Sequence, residues 1–315
     1  MFTSEIKNTH NEDISILVKA SNHPWNYLCE CGDASNLTIK EIQNCNAIFI
    51  SHTHIDHFVN FDAVIRHQIG IQRRVVICGP ENIGKQVQSR IQSYSWNLIN
   101  EESITYEIRE MISDTEIITY ELTPPLWELK KINTYNSAIL FEESDFIVTG
   151  VLLNHKIPSL AYQFTEKDTV KINLTSGNFN GGAWVKELKK AFISGKNDSI
   201  ITINKVEYKA EDLFYLLNIQ KGDSLGIIMD HAPSAENHQK IKEHFYGCNT
   251  VLIESFYKNE DQHFATLNYH SFAKMSGTIM KESAVKHPIP VHFSRKYSEE
   301  DIKILTHEFF EAYHS

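Results

Sequence analysis

Short apolar runs rich in β-branched residues recur along the chain: "ISILVKA" from residue 14, "YLCEC" from 27, "AIFIS" from 47, "RVVICG" from 74, "SITYEI" from 103, "EIITYEL" from 116, "SAILFE" from 137, "FIVTGVLLN" from 146, "SIITIN" from 199, "LGIIMD" from 225, "TVLIES" from 250 and "IPVHFS" from 289. Many are bounded by Gly, Asn, Asp or Pro, which is how strands are punctuated. Between some of them the period changes. Residues 81–99 place Ile83, Val87, Ile91 and Trp96 on one helical face. "SAENHQKIKEHF" opens at Ser234, a good N-cap. "YHSFAKMSGTIMKESAV" and "SEEDIKILTHEFFEAY" also have helical spacing, the second with Ser298 and Asp301 as a capping box. The first half is therefore strand-rich, and the second alternates strands with helices. This order predicts an α/β fold of two packed sheets with helices outside, an αββα sandwich, in preference to a doubly wound parallel sheet.

No repeat or low-complexity tract interrupts the pattern. The stretch 167–224 differs in character: polar, Gly-rich "TSGNFNGGAW" runs into amphipathic "AWVKELKKAF". We read residues 1–315 as one domain with 167–224 as an accessory insertion. Lys186, Lys189 and Lys190 give that insertion a small basic face, and Trp184 fits a core anchor better than a base-stacking platform.

Composition narrows the class. Of 315 residues, 42% are hydrophobic, enough for a sizeable core. Thirty Lys and Arg stand against 40 Asp and Glu, a formal charge of −10. This disfavours nucleic acid binding over the whole surface but leaves room for a local basic patch. The five cysteines, Cys29, Cys31, Cys45, Cys78 and Cys248, are odd in number and scattered, which suits a reducing cytoplasm better than a disulfide framework. Cys29 and Cys31 read as alternating strand residues. The N-terminus carries no apolar leader, and no run reaches the roughly 20 apolar residues that span a bilayer. A cytoplasmic protein without membrane contact is expected.

The densest chemistry lies in "NAIFISHTHIDHF", residues 46–58. His52, His54, Asp56 and His57 follow directly on an apolar strand, at its carboxyl end, where α/β proteins place sites. His52 and His54, two apart in extended chain, point the same way. Asp56 and His57 lie past a turn, before a helix expected near Phe58, and face a second point. Three further strands end in a residue of the same type: His155, Asp230 and His292. Together they complete a two-metal site, with His52, His54 and His155 on one ion, Asp56, His57 and His292 on the other, and the Asp230 carboxylate shared. Imidazole and carboxylate suit Zn²⁺, with Mn²⁺ and Fe also compatible.

At this point the chain resembles a known family. The H-x-H-x-D-H of "SHTHIDH" is the hallmark of the metallo-β-lactamase superfamily. Within it, "VHFSRKY", "LNYHS" and "LIES" are similar to the later motifs of ribonuclease Z, the tRNA 3′-processing endonuclease, with Glu254, His270 and His292 at matching spacing. "YLCECGDAS" resembles the strand and turn that precede the first motif, and "ICGPENI" the opening of the following helix. The likeness runs from about residue 13 to 300. Departures are Ile55 for a usual Gly, "MDH" for "GDT" around Asp230, the lack of an N-terminal Gly-Thr…Pro…Arg-Asn stretch, and only a proline-free echo of the tRNA-gripping arm in "FNGGAWVKELKKAF".

The resemblance implies a binuclear metal-dependent phosphodiesterase acting on precursor tRNA, working as a homodimer. It gives Asp56 a role in orienting the nucleophile. His270, kept basic by Glu254, is the natural proton donor to the leaving 3′-oxygen. The alternative is a hydrolase of the same fold acting on a small phosphodiester or another ester. A di-iron redox protein would need a flavin domain that this length does not hold, and a binding module without activity would not keep so complete a ligand set. Arg73 and Arg74 fit a solvated turn better than a phosphate contact. Arg66 and His67 fall on the helix after the motif.

Overall fold

The computed structural model describes residues 1–21, 23–176 and 179–315, which divide into two compact units, one of Met1–Thr165 with Asp223–Ser315 and the other of Glu166–Gly222. In the first unit, strands β1 (Phe2–Ile6), β2 (Ile16–Ala20), β3 (Asn26–Cys29), β4 (Cys45–Phe49), β5 (Arg74–Pro80), β6 (Thr105–Ser113), β7 (Glu116–Leu122) and β8 (Lys130–Asn136) form an eight-stranded sheet in chain order. Alternation assigns its two faces. On β5, Val75 and Ile77 join a core with helices α1 (Ile39–Gln43), α2 (Ile55–Phe58), α3 (Phe61–Gln68) and α4 (Ile83–Gln92), whereas Val76 and Cys78 face the opposite way, into the core between the sheets.

The second sheet starts with β9 (Ile139–Glu142), β10 (Phe146–Asn154) and β11 (Pro158–Glu166). The chain then builds the smaller unit: β12 (Thr169–Ile172), α5 (Trp184–Ile193), β13 (Ile200–Ile203), β14 (Val206–Lys209), α6 (Ala210–Leu213) and β15 (Leu217–Gln220). These elements surround their own apolar cluster, in which Trp184 and Leu188 are buried. Trp184 is thus a core anchor.

The chain then returns to the second sheet with β16 (Ser224–Ile228), α7 (Ala235–His244), β17 (Thr250–Glu254), α8 (Gln262–Asn268), α9 (Ala273–Glu282), β18 (His287–Val291) and α10 (Glu299–His314), giving strand order β18-β17-β16-β11-β10-β9. Leu225, Ile227 and Leu252 meet the first sheet, while Ile228, Val251 and Ile253 pack against Ile241, Ile279, Leu305 and Phe309 of the helices. This is the expected αββα sandwich. Ser234 caps α7 through its hydroxyl, and Ser298 with Asp301 closes the capping box of α10. No helix among the described residues is long and apolar enough to cross a membrane.

Two expectations need correction, and β1 and β11 are among the strands that the apolar pattern did not announce. The polar N-terminus forms β1, pairing antiparallel with β2 through Phe2–Ile6; as an edge strand it needs only one buried side chain, Phe2, to hold it. "PSLAYQFTE" is the unforeseen β11, whose residues Ser159 to Tyr162 are all buried, so that no polar alternation marks it. The helix over 81–99 stops at Gln92, and Trp96 instead folds back so that its Nε1–H donates to the Ile91 carbonyl at 2.8 Å, satisfying an end-of-helix acceptor. The helix after the first motif begins at Ile55, not near Phe58, so Asp56 and His57 are helical.

Two parallel sets of strands position the site. Ile228 lies beside Ile253, and Glu254 beside Val291, so β16, β17 and β18 deliver Asp230, Glu254 and His292 to one edge. Cys29 lies beside Phe49, which brings Glu30 next to Ser51 and His52. The backbone N–H of Leu160 on β11 donates to the Ser51 carbonyl at 2.8 Å, and the Tyr162 hydroxyl to that of Ile50 at 2.7 Å, tying the two sheets together at this edge.

Candidate metal centre

His52, His54, His155 and Asp230 bring one potential ligand atom each to within 4.8 Å of one another, and so do Asp56, His57 and His292. All seven residues expected from the sequence therefore converge. Asp230 stands between the groups with its two oxygens turned apart. Its Oδ2 lies 3.6 Å from His52 Nε2 and 3.4 Å from His155 Nε2. Its Oδ1 lies 3.4 Å from His57 Nε2 and 2.9 Å from His292 Nδ1. Asp56 Oδ2 lies 3.6 Å from both His57 Nε2 and His292 Nε2.

These separations test whether the residues fit a cation. Ligands bonded at 2.0–2.1 Å in a tetrahedron stand roughly 3.3 Å apart, close to most of the spacings seen. His52 Nε2, His57 Nε2, Asp230 Oδ1 and His292 Nδ1 are moreover buried without a hydrogen-bond partner. Buried polar atoms normally have partners. Four such atoms in one cluster, all of ligating type, fit the binding of divalent metal.

The outer contacts fix which imidazole nitrogen faces inward. Nδ1 of His155 donates to the Tyr269 carbonyl at 2.7 Å, Nδ1 of His57 meets Glu30 Oε2 at 3.0 Å, and Nδ1 of His52 meets the Ser51 hydroxyl at 3.0 Å. Each leaves Nε2 for the centre. Glu30 sits at φ +67° with its other oxygen accepting the Ser51 N–H at 2.9 Å, so one buried carboxylate braces both ends of the first motif. Gly32 allows that motif to pack close: a Cβ there would fall 2.6 Å from the Asp56 carbonyl oxygen. On the opposite side, the buried Asn237 side chain accepts from the Asn154 N–H and donates to the Asn154 and Ala232 carbonyls, at 2.8, 2.8 and 2.9 Å. It thereby clamps the residue before His155 to the loop after Asp230.

His270 lies beside this centre. Its Nδ1 bonds Glu254 Oε1, and its ring stacks on Phe256 with centroids 3.9 Å apart and planes 9° from parallel. Glu254 Oε2 accepts the backbone N–H groups of Ser271 at 3.0 Å and His231 at 3.3 Å. Burial pushes the Glu254 carboxyl up, but His270 outweighs it and brings the group down to about 2. The same pairing raises His270 against its own burial. In the protein alone, His57 is driven to about 10: burial opposes the proton, and the charges of Asp230 and Glu30 prevail. Asp230 is held well below the carboxylate range, burial being overcome by His292 and His57.

Glu254 and His270 thus meet as expected. The sequence reading missed Glu30, Phe256, Asn237 and the Tyr269 carbonyl; only Glu30, an acid inside an apolar strand, carried a visible signal. Arg73 and Arg74 are committed to contacts within the fold. Arg73 stacks on Trp25 at 4.5 Å and bonds the Gln43 and Cys45 carbonyls, while Arg74 pairs with Glu107 and Glu121.

No protein-family model matches the chain. Among known proteins it is 26% identical over 289 residues to one named ribonuclease Z from Deinococcus radiodurans, covering 87% of this chain and 84% of that one. Among solved structures it superposes with TM-score 0.59 on a metallo-β-lactamase fold protein from Bacillus subtilis, at 11% identity over 100% of this chain and 94% of that one. The TM-score is also 0.59 with the short form of human tRNase Z, at 13% identity over 94% and 93% of the two chains. Likeness at these identities establishes the fold.

Proposed function

We infer, from a chain that has the metallo-β-lactamase fold and is homologous to ribonuclease Z over most of its length, that this protein is a metal-dependent endoribonuclease that processes the 3′ end of precursor tRNA. The observation that carries the reading is the placement of Asp230, with one oxygen turned to each group of histidines. We assign His52, His54 and His155 to one divalent ion and Asp56, His57 and His292 to the other, with Asp230 shared. Zinc is the ion that this nitrogen-rich set suits best. When bound, such a pair would supply an acidified water and positive charge against the phosphoryl oxygens.

The chain's own groups would do the rest. Asp56, half-buried at the rim, would accept a hydrogen bond from the attacking water and hold it in line with the scissile bond. His270 would protonate the departing 3′-oxygen through Nε2, since its Nδ1 is committed to Glu254. Glu254 would keep the imidazole charged and oriented, while its other oxygen stays fixed by two backbone N–H groups. The Phe256 face would stop the ring from turning out of line. RNA is the partner in this reading, a homodimer the working assembly and the cytoplasm the compartment; light scattering on purified protein checks the assembly.

The test is cleavage of a precursor tRNA with a 3′ trailer by protein of measured metal content. Release of the trailer at a single site, abolished by chelation and restored by zinc, is expected. Turnover of bis-p-nitrophenyl phosphate without any cleavage of the RNA would overturn the tRNA assignment.

A further inference from the structure

The imidazole of His292 stands between two groups of ligand-type atoms. On one side its Nε2 lies 3.6 Å from Asp56 Oδ2, and its ring centroid is 4.8 Å from that of His57. On the other its Nδ1 lies 2.9 Å from Asp230 Oδ1 and 3.6 Å from Glu254 Oε1, with the His270 ring centroid 6.3 Å away. Asp230, Glu254, His270 and His292 bring one potential ligand atom each to within 4.8 Å of one another, the limit that also holds for the two groups assigned above. His270 Nδ1 closes this further group, bonded to Glu254 Oε1 and 3.7 Å from Asp230 Oδ2. His292 Nδ1 and Asp230 Oδ1 are both buried without a hydrogen-bond partner. His292 has φ +56°, a left-handed backbone that sets its ring across the two groups. The two sides are chemically alike, each with two carboxylates and two imidazoles: Asp56, Asp230, His57 and His292 on one, Asp230, Glu254, His270 and His292 on the other.

We propose that Asp230, Glu254, His270 and His292 form a reserve seat for the second divalent cation, exclusive of the seat at Asp56 and His57, and that an ion held there switches RNA cleavage off. The inference rests on the metal-centre assignment above. Exclusion follows from His292. A neutral imidazole has one lone pair, so it serves an ion through Nε2 on one side or through Nδ1 on the other. Charge disfavours a third ion: Glu30, Asp56, Asp230 and Glu254 surround the centre, and four carboxylates balance two dications and not three. The switch follows from His270. In the working arrangement its Nδ1 is bonded to Glu254 and the ring donates through Nε2. An ion in the reserve seat takes Nδ1 and Glu254 Oε1 for itself. The imidazole is then a neutral ligand whose Nε2–H is only weakly acidic, and the phosphoryl group lacks one of its cations. With every ligand present the seat at Asp56 and His57 fills first, because the reserve seat opens only when the His270–Glu254 pair parts. The chain thus has a resting form that keeps its full metal content and lacks its proton donor.

The experiment is a double-mutant cycle on zinc affinity, measured on the full chain by competition with a chromophoric chelator. Asp56→Ala removes a half-buried ligand from the working seat and leaves the reserve seat whole. His270→Ala does the reverse. In the unmodified background His270→Ala should leave the affinity for the second zinc unchanged, because that ion does not touch it. In the Asp56→Ala background it should weaken that affinity roughly tenfold or more, since a ligand costs at least what an outer contact does. This failure of additivity is the signature of an ion that has moved across. A zinc-edge anomalous map of Asp56→Ala should place the second ion beside Glu254 and His270. Equal effects of His270→Ala in the two backgrounds overturn the proposal, and so does a second peak beside His57 Nε2 in Asp56→Ala. If the unmodified chain takes up no zinc, the metal-centre reading falls and the reserve seat with it. If the cycle behaves as expected yet precursor tRNA stays intact, the seat stands and the tRNA reading falls. If precursor tRNA is cut and the cycle is additive, the seat falls alone.

Discussion

Replacing His270 with alanine separates proton donation from metal binding. The substitution removes one imidazole and leaves all seven proposed ligands in place. Its structural cost has two parts: the ring stacks on Phe256, a pair worth about 0.5–1.5 kcal/mol, and the buried Glu254 carboxylate loses its charged partner. Glu254 keeps the Ser271 and His231 N–H groups, and thermal unfolding of the variant reads this loss apart from the chemistry. The chemical cost appears in the rate. A positioned acid is worth about 10²–10⁴ in rate, or about 2.7–5.4 kcal/mol of barrier at 1.36 kcal/mol per decade. The leaving group decides whether that loss appears. A ribose 3′-oxygen is strongly basic and needs a proton as the bond breaks; p-nitrophenolate is stable as an anion and does not. Single-turnover cleavage of precursor tRNA should therefore fall by two to four decades in His270→Ala, bis-p-nitrophenyl phosphate hydrolysis should fall far less, and the metal content should be unchanged. Equal losses on both substrates would refute the assignment of His270 as proton donor, as would full RNA cleavage by the variant.

Three further outcomes follow from the same geometry. Asp230→Asn keeps the shape but removes the shared charge, so elemental analysis should find fewer than two ions per chain and turnover should vanish; two retained ions would contradict the bridging role. Asn237→Ala leaves the Asn154 N–H without its partner, at a cost of about 1–3 kcal/mol, and loosens the His155 and Asp230 loops. Metal affinity should drop about 10–100-fold, the usual worth of an outer contact, with turnover recovered in excess zinc; an unchanged metal titration would defeat this. Affinity should also depend on pH beyond neutrality. His57 holds its proton to about 10 in the protein alone, and that proton must leave before Nε2 can bind a cation, so affinity should keep rising between pH 7 and 9. The same proton stabilises the metal-free fold fully below the unfolded value of about 6.5 and is lost through about 10. Calorimetry in two buffers should detect proton release on zinc binding, and an affinity that is flat above pH 7 would sink this point.

The proposed ligand set could be picked out of the chain because each member ends or follows a strand whose apolar pattern is plain. His155, Asp230 and His292 each close such a run, and parallel pairing of β16, β17 and β18 puts two of those ends at one edge. Cys29 ends β3 as the alternation suggests, but Cys31 lies beyond the strand and packs into the opposite core, because the positive φ of Glu30 breaks the alternation between them. What stayed hidden depends on backbone conformation and tertiary contact. Glu30 and Tyr269 have positive φ, at +67° and +62°; that conformation aims the Tyr269 carbonyl at His155, and no residue pattern announces it. Phe256 reads as one more strand-end apolar residue until His270 is seen lying on it. Asn237 is a polar residue early in an amphipathic helix, indistinguishable in sequence from a solvated one, yet it is buried. Trp96 fits a helical period but sits beyond the helix, because its indole is used to cap it.

The most direct check of the central claim is a zinc-edge anomalous difference map from crystals of the full chain. Two peaks roughly 3.5–4 Å apart are expected, one among His52, His54 and His155, the other among Asp56, His57 and His292, with Asp230 touching both. A single peak, or none at either point in zinc-saturated crystals, would contradict it.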